Sequence, residues 1–339
     1  MAFSARVEPL LDAEELELSL DFLASLQLKS GMVPWFSGGR ADPWNHTEAM
    51  IAFALGGRLE EAMAGLNWLF RSQNADGTWC HFYLSNGVAE PRRDSNTCCY
   101  PVLLVSILDR IVGDKKRLEP FVEMALRAID KVVDYQRADG SIPWAIDPSG
   151  DPYPTSLIAA SSSVCDSLAI AVELCNRFGK GDADRYIDAG DMLKQSVVDQ
   201  CGPYSDTSEW AMDHYYPHMG GIADQASLAE EFLERFYLPR WGIRCIASKQ
   251  WFTAAETAEA AMALHLQGES ELAEEIFLTL GRFRCDNGAY LTGVVGPIGQ
   301  SFPHSEQSSY SVAAVILASF AIAAKARSSI GMTLLRLFS

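Results

Sequence analysis

Apolar and polar positions alternate along this 339-residue chain in two distinct registers. In one class of segment nearly every position is apolar: residues 47–55, 97–112, 161–178, 253–266 and 309–324, with a weaker member at 215–221. The other class carries apolar residues on one helical face only, at three- and four-residue spacing: 11–28, 59–72, 117–135, 184–198, 226–237 and 269–283. A helix apolar all round must be covered all round, whereas an amphipathic helix needs cover on one face. Six segments of each kind in alternation predict an all-α fold. Its form is an (α/α)6 toroid, a six-hairpin barrel with apolar helices inside and amphipathic ones outside, filling residues 1–339 as one domain. The first helix then covers the last inner one and closes the ring.

A repeated phrase supports this. Gln73-Asn-Ala-Asp76-Gly77-Thr-Trp79 ends the second amphipathic segment and returns as Gln136-Arg-Ala-Asp139-Gly140-Ser-Ile-Pro-Trp144. A looser copy is Gln27…Gly31…Trp35, and a degenerate one is Asp286-Asn-Gly288-Ala-Tyr290. Internal repeats fix architecture before chemistry is considered. The Asp-Gly pairs read as turns. The long loops that follow place their aromatic and acidic residues on one face, above the amino ends of the inner helices, where function is expected.

Composition narrows the partners. Acidic residues outnumber basic ones 44 to 27, the net charge is −17 and no Lys/Arg cluster interrupts it. Neither nucleic acid nor an anionic membrane surface is expected. The longest apolar run, 312–324, is shorter than the ~20 residues a membrane span needs. Eight cysteines without a C-x-x-C pair, and no basic-then-apolar leader in the first twenty residues, predict a cytoplasmic location. His214 and His218 are four apart, but Pro217 intervenes and no third ligand is evident, so no metal site is predicted. Phosphate-loop, dinucleotide and nucleophile-elbow motifs are absent, and no cofactor is expected.

Each loop delivers candidates to the shared face. The first brings Asp42, Trp44, His46 and Glu48; the second brings Trp79, His81 and Asp94. Trp144 and Asp147 follow, then Asp213, His214, Tyr215 and Tyr216. The last two loops supply Trp251 and Glu256, and His304 and Glu306. Indole faces stack on sugar rings and carboxylates take sugar hydroxyls, so the expected partner is a small-molecule or oligosaccharide substrate. Paired carboxylates are the equipment of glycoside hydrolysis. Asp42, Asp94 and Ser161 also stand where helices start and could simply cap them. Glu306 could likewise accept from the amides that open the last inner helix.

The phrase Trp44-Asn-His-Thr-Glu48…Gly56-Gly57…Trp68…Asp76-Gly77 resembles the glucoamylase-like six-hairpin glycosidases. So do Ile142-Pro-Trp144 and Glu306-Gln307, which match that family's two catalytic regions. The resemblance implies an inverting glycosidase with Glu306 as base. It also implies an acid directly after the tryptophan, where this chain has Ala145. Asp147 or Asp213 would then supply the acid. Gln73-x3-Gly77-x-Trp79 is similar to the QW motif of terpenoid cyclases and to prenyltransferase toroids, although no DxDD or DDxxD motif is present. An isoprenoid in the same pit is the alternative implied, and a sugar-binding toroid without catalysis is the third reading.

Overall fold

The computed structural model describes residues 7–222, 229–324 and 329–337. Its six inner positions are held by α2 (Pro43–Leu55), α5 (Pro101–Val112), α7 (Ile158–Phe178), α9 (Met212–Met219), α11 (Ala254–Leu266) and α13 (Ser309–Ala323). Each packs on the next in that order, and α13 packs back on α2, so the six form a closed ring. The amphipathic helices lie outside: α1 (Ala13–Leu26) on α13, α3 (Leu59–Ser72) on α2, and α6 (Lys115–Val133) on α5. Farther round, α8 (Ala183–Asp199) covers α7 and α12 (Ser270–Leu278) covers α11. The eight-residue α10 (Ala229–Phe236) packs Phe232 and Phe236 against Tyr215 and His214 of α9. The buried apolar residues form one contiguous cluster. The protein is an all-α toroid.

Three features depart from the pattern in the sequence. The second inner segment is broken by Pro101 into α4 (Ser95–Cys99) and α5, because proline has no amide to donate at a helix interior. Ser161 is inside α7, whose N-cap is Leu157, and its expected capping role does not hold. Small antiparallel pairs edge the long loops: β1 (Phe82–Leu84) with β2 (Gly87–Glu90), β3 (Arg93–Asp94) with β4 (Ala145–Ile146), and β5 (Tyr237–Leu238) with β6 (Gly242–Ile243). A three-stranded sheet joins β7 (Trp251–Thr253), β8 (Gly293–Val295) and β9 (Gln300–Ser301). The weakest amphipathic segment begins at residues 226–228, outside the described residues. A last helix, α14 (Ile330–Arg336), touches α5, α7, α11 and α13 together, which places it across the ring's axis beneath the loop face.

The repeated Gln-x3-Gly phrase turns out to be a staple between outer helices. Gln27 Nε2 donates to Gly31 O (3.1 Å) and to Glu61 O of α3 (3.0 Å). Gln73 Nε2 reaches Gly77 O (2.7 Å) and Met124 O of α6 (2.8 Å). Gln136 Nε2 reaches Gly140 O (2.9 Å) and Ala189 O of α8 (2.8 Å). Each amide thus ties its own turn to the following outer helix. The glycines must be glycines twice over. Gly140 has φ +82° and its absent Cβ would stand 2.3 Å from Met192 O, while Gly288 (φ +79°) sits equally tight against Leu18 of α1. Ser19 Oγ donates to Gly288 O (2.9 Å), so the degenerate fourth copy closes the outer ring.

Gly140→Ala is therefore expected to destabilise by ~2 kcal/mol or more, combining left-handed strain with a backbone clash. Urea unfolding followed by circular dichroism reads this directly. A midpoint unchanged from wild type would mean that the turn relaxes without holding the outer helices together.

Candidate active site

Inner helices begin at the loop face, so the depth of a side chain follows from its helix position at about 1.5 Å per residue. Asp42 is the N-cap of α2, with Oδ1 accepting from Asn45 N (2.9 Å). Its Oδ2 accepts from Trp35 Nε1 (2.5 Å) and Asn45 Nδ2 (2.7 Å). Burial pushes the Asp42 carboxyl up despite these three donors. Glu256 is the third residue of α11 and half-buried, and it accepts from Cys245 Sγ (3.0 Å). Glu306 is in the loop entering α13, where Thr292 Oγ1 donates to its Oε1 (2.9 Å). Both Glu256 and Glu306 act electrostatically on Tyr310, which packs edge-on to Trp35 at 5.4 Å. Consecutive helices α11, α13 and α2 thus each bring a carboxylate to the upper pit.

A second tier lies one to two helical turns lower. Glu48 and Glu259 are each the sixth residue of their helix. Trp44 Nε1 donates to Glu48 (3.0 Å), and the indole stacks on Tyr100 at 4.0 Å between centroids. Glu259 is held by two phenols: Tyr215 donates to Oε2 and Tyr216 to Oε1 (2.9 Å). Burial raises both carboxyls, Glu48 well above its ordinary range and Glu259 to about 7. The nearby charge of Glu259 adds to the rise at Glu48, and that of Glu256 to the rise at Glu259. The second-tier carboxyls and the Trp44–Tyr100 stack line a cavity of about 20 Å³, whose wall also includes Ser163, Asp166, Met262, Ala314, Leu317 and Ile330 of α14. Burial lifts Asp166 to about 6, while its Oδ2 accepts from Gly331 N (2.9 Å).

The second loop forms the pit's flank. Asp94 accepts from Arg92 Nε (3.0 Å) and pairs with His81 Nδ1 (2.9 Å), and Arg92 lies over Trp144 at 4.9 Å. Ala145, at the position of the glucoamylase-like acid, is fully buried in β4 opposite Asp94 in β3. Asp94 therefore supplies the carboxylate at that point of the wall.

Other predicted residues lie elsewhere. Asp147 closes its own turn: Ser149 Oγ and the amides of Ser149, Gly150 and Asp151 all donate to Oδ1. The Ser149 hydroxyl leads in lowering its acidity range, the reverse of what a general acid needs. Asp213 caps α7 through Ala159 N (3.3 Å) and accepts from Thr207 on the flank between α7 and α9. His214 beside it bonds Ser208 O (2.8 Å) and faces α10. His46 is a core residue, bonded to Val33 N (3.1 Å) and Gly65 O (3.1 Å). Trp79 is fully buried, with Nε1 donating to Leu69 O (2.9 Å). With Gln73 also committed to its staple, the QW phrase is structural, and the isoprenoid reading loses its motif. Trp251 donates to Phe302 O (2.9 Å) on the sheet edge, and His304 is exposed in the same loop. Glu259, Tyr100, Asp166 and Arg92 were missed. Glu259 was visible as the i+3 partner of Glu256 on one helical face.

Known proteins share this fold. No family profile matches the chain. Its fold is similar to that of a glycosidase variant in complex with glucose, with a TM-score of 0.71 at 11% identity over 92% of this chain and 99% of that one. It is also similar to a D-mannose isomerase (TM-score 0.67, 11% identity, 92% and 97% covered) and to an alpha-amylase from Clostridium perfringens (0.66, 10%, 90% and 96%). The protein is a glycoside hydrolase-like, carbohydrate-active toroid. Its sequence is 33% identical over 320 residues to the MMP endo-(1,4)-3-O-methyl-alpha-D-mannosidase of Mycolicibacterium hassiacum, covering 93% of this chain and 88% of the relative. The chain belongs to that mannosidase's family.

Glu48, Glu259 and Asp166 all hold protons more tightly when folded than when unfolded. Their stabilising contribution is complete below the unfolded carboxylate values and is lost as pH rises through the folded ones. The urea midpoint is expected to fall between about pH 5 and pH 7.5, and Glu259→Gln to flatten that fall. A midpoint that rises over this range would contradict the raised carboxyls of the second tier.

Proposed function

We propose that the protein is an endo-acting α-mannosidase working by inversion in a single (α/α)6 six-hairpin domain. Its substrate is an oligosaccharide of α-(1,4)-linked mannose or 3-O-methylmannose. The observation that carries this reading is the two-tier convergence of carboxylates and aromatics at one end of the toroid, in a chain of the mannosidase family. A sugar entering from the loop face meets Asp42 and Glu256 first. Glu48 is six residues, about 9 Å of helix, deeper than Asp42. Glu259 is one turn deeper than Glu256 and already bound by two tyrosines.

Asp42, whose carboxyl burial pushes above its ordinary range, is assigned the general acid. It gives its proton to the glycosidic oxygen as the bond to the anomeric carbon breaks. Glu256 is assigned the base, taking a proton from the water that attacks the opposite face. The two stand on helices separated in the ring by α13. Neighbouring helix axes are ~8–10 Å apart, so side chains reaching inward across two spacings leave room for a water. This favours the ~6.5–9.5 Å carboxyl separation of inverting enzymes over the ~5 Å of retaining ones. Glu306, whose Oε1 is engaged by Thr292, is the second candidate base, favoured by its position at the same rim.

Asp42→Asn and Glu256→Gln should each lower kcat by ~10²–10⁴ on an α-(1,4)-mannooligosaccharide with binding retained in calorimetry. Asp147→Asn and Asp213→Asn should leave kcat nearly unchanged. The first product seen by proton NMR should be the β-anomer. An α-anomer first, or the larger loss in Asp213→Asn, would overturn the assignment.

A further inference from the structure

Residues 35–42 fold back on themselves and set a tryptophan against the Asp42 carboxyl. Trp35 N donates to Arg40 O (2.7 Å), closing a turn through Gly38 (φ +73°). Ala41 then exchanges two hydrogen bonds of 2.8 Å with Tyr83 of β1. Side chains alternate along extended backbone, so Arg40 and Asp42 leave this segment on the side opposite Ala41. The turn brings the Trp35 indole back onto Asp42, with Nε1 2.5 Å from Oδ2. Other groups fix that ring. Arg40 lies over it at 4.4 Å and over Phe82 at 3.9 Å, one guanidinium against two aromatic rings. Phe82 and Tyr310 meet the indole edge-on at 5.3 and 5.4 Å. Ser309 N, in the first turn of α13, donates to Trp35 O (2.7 Å). Trp35 is only half-buried, yet its ring, amide and carbonyl are all held.

We propose that Trp35 is the positioning residue of the general acid, holding Asp42 through its indole N–H, and that Arg40 holds the indole. The inference rests on the assignment of Asp42 as that acid. Oδ2 takes two side-chain donors, Trp35 Nε1 and Asn45 Nδ2, whereas Oδ1 takes Asn45 N alone. Oδ1 is therefore the oxygen with a lone pair left to carry the proton to the glycosidic oxygen. As that proton leaves, negative charge grows on the carboxyl, and a fixed N–H donor stabilises it. A cation on the indole face draws electron density from the ring and makes its N–H the stronger donor. Four other charged or titratable groups surround this unit. They are Glu48 on the same helix, His81 from the second loop with its partner Asp94, and Glu256 and Glu306 beyond Tyr310. All of them remain when Trp35 is replaced, so a displaced titration of the acid reports the indole.

The test is kcat/KM against pH for the full-length protein on an α-(1,4)-mannooligosaccharide. A general acid must be protonated, so activity falls as pH rises through its pKa, and a donor to the ionised carboxyl holds that pKa down. Trp35→Phe keeps an aromatic ring and removes the N–H. It should move the alkaline limb up by about one pH unit, the size of one hydrogen bond to a charged group. Arg40→Met should move the limb in the same direction by less, and because Arg40 is exposed this variant leaves the core undisturbed. A residue that merely packed would lower the plateau without displacing the limb. An alkaline limb unmoved in Trp35→Phe, whatever its plateau, would overturn the inference while leaving the acid assignment intact. An unmoved limb in Arg40→Met would overturn the arginine's part in it. Wild-type turnover in Asp42→Asn would overturn the acid assignment itself, and the inference with it.

Discussion

The structure depends on one constraint: six helices too apolar to face water have to cover each other. A closed ring satisfies this, and it aligns all six with their amino ends at the loop face. Each amino end carries unsatisfied amides and the positive pole of its helix. Together they form a field in which carboxylates are tolerated at depths that would otherwise exclude charge. Asp42 takes that stabilisation directly, through Asn45 N. The apolar walls below withdraw it from Glu48 and Glu259, whose carboxyls burial pushes up instead.

The two tiers differ in how they are held. Carboxylates at the first turn are held by Trp35, Asn45 and Cys245, while those a turn lower are fixed by Trp44, Tyr215 and Tyr216. Below them the last helix is tied to the same assembly, since Asp166 both lines the cavity and accepts from Gly331 of α14. Outside the ring, the glutamine staples hold successive outer helices at fixed spacing, so that the loops crossing above them converge on one pit.

The architecture was legible because burial demands leave a periodic signature. Alternation of apolar and amphipathic segments identified the inner and outer helices, and the Gln-x3-Gly repeat marked their junctions. The pit was legible in part. Asp42, Trp44, Glu48, Glu256 and Tyr216 follow from their place in the first turns of inner helices. Asp147 and Asp213 did not, because a turn carboxylate and a helix-capping carboxylate share the aromatic surroundings of a catalytic one in sequence. Only hydrogen-bond partners separate them. His46 and Trp79 were misplaced for a related reason: amphipathic rings serve a core as readily as a site once their polar atoms find backbone partners. Asp166 was invisible, since what makes it notable is an orphaned oxygen beside a helix more than 160 residues later.

The central claim is that sugar chemistry occurs between Asp42 and Glu256 above the Trp44–Tyr100 stack. The most direct measurement is a crystal structure of Glu256→Gln soaked with an α-(1,4)-mannooligosaccharide. The account predicts density for a glycosidic oxygen within hydrogen-bond distance of Asp42, with a pyranose ring against Trp44. An oligosaccharide bound instead on the flank beside Asp213 and His214, with the axial pit empty, would contradict it.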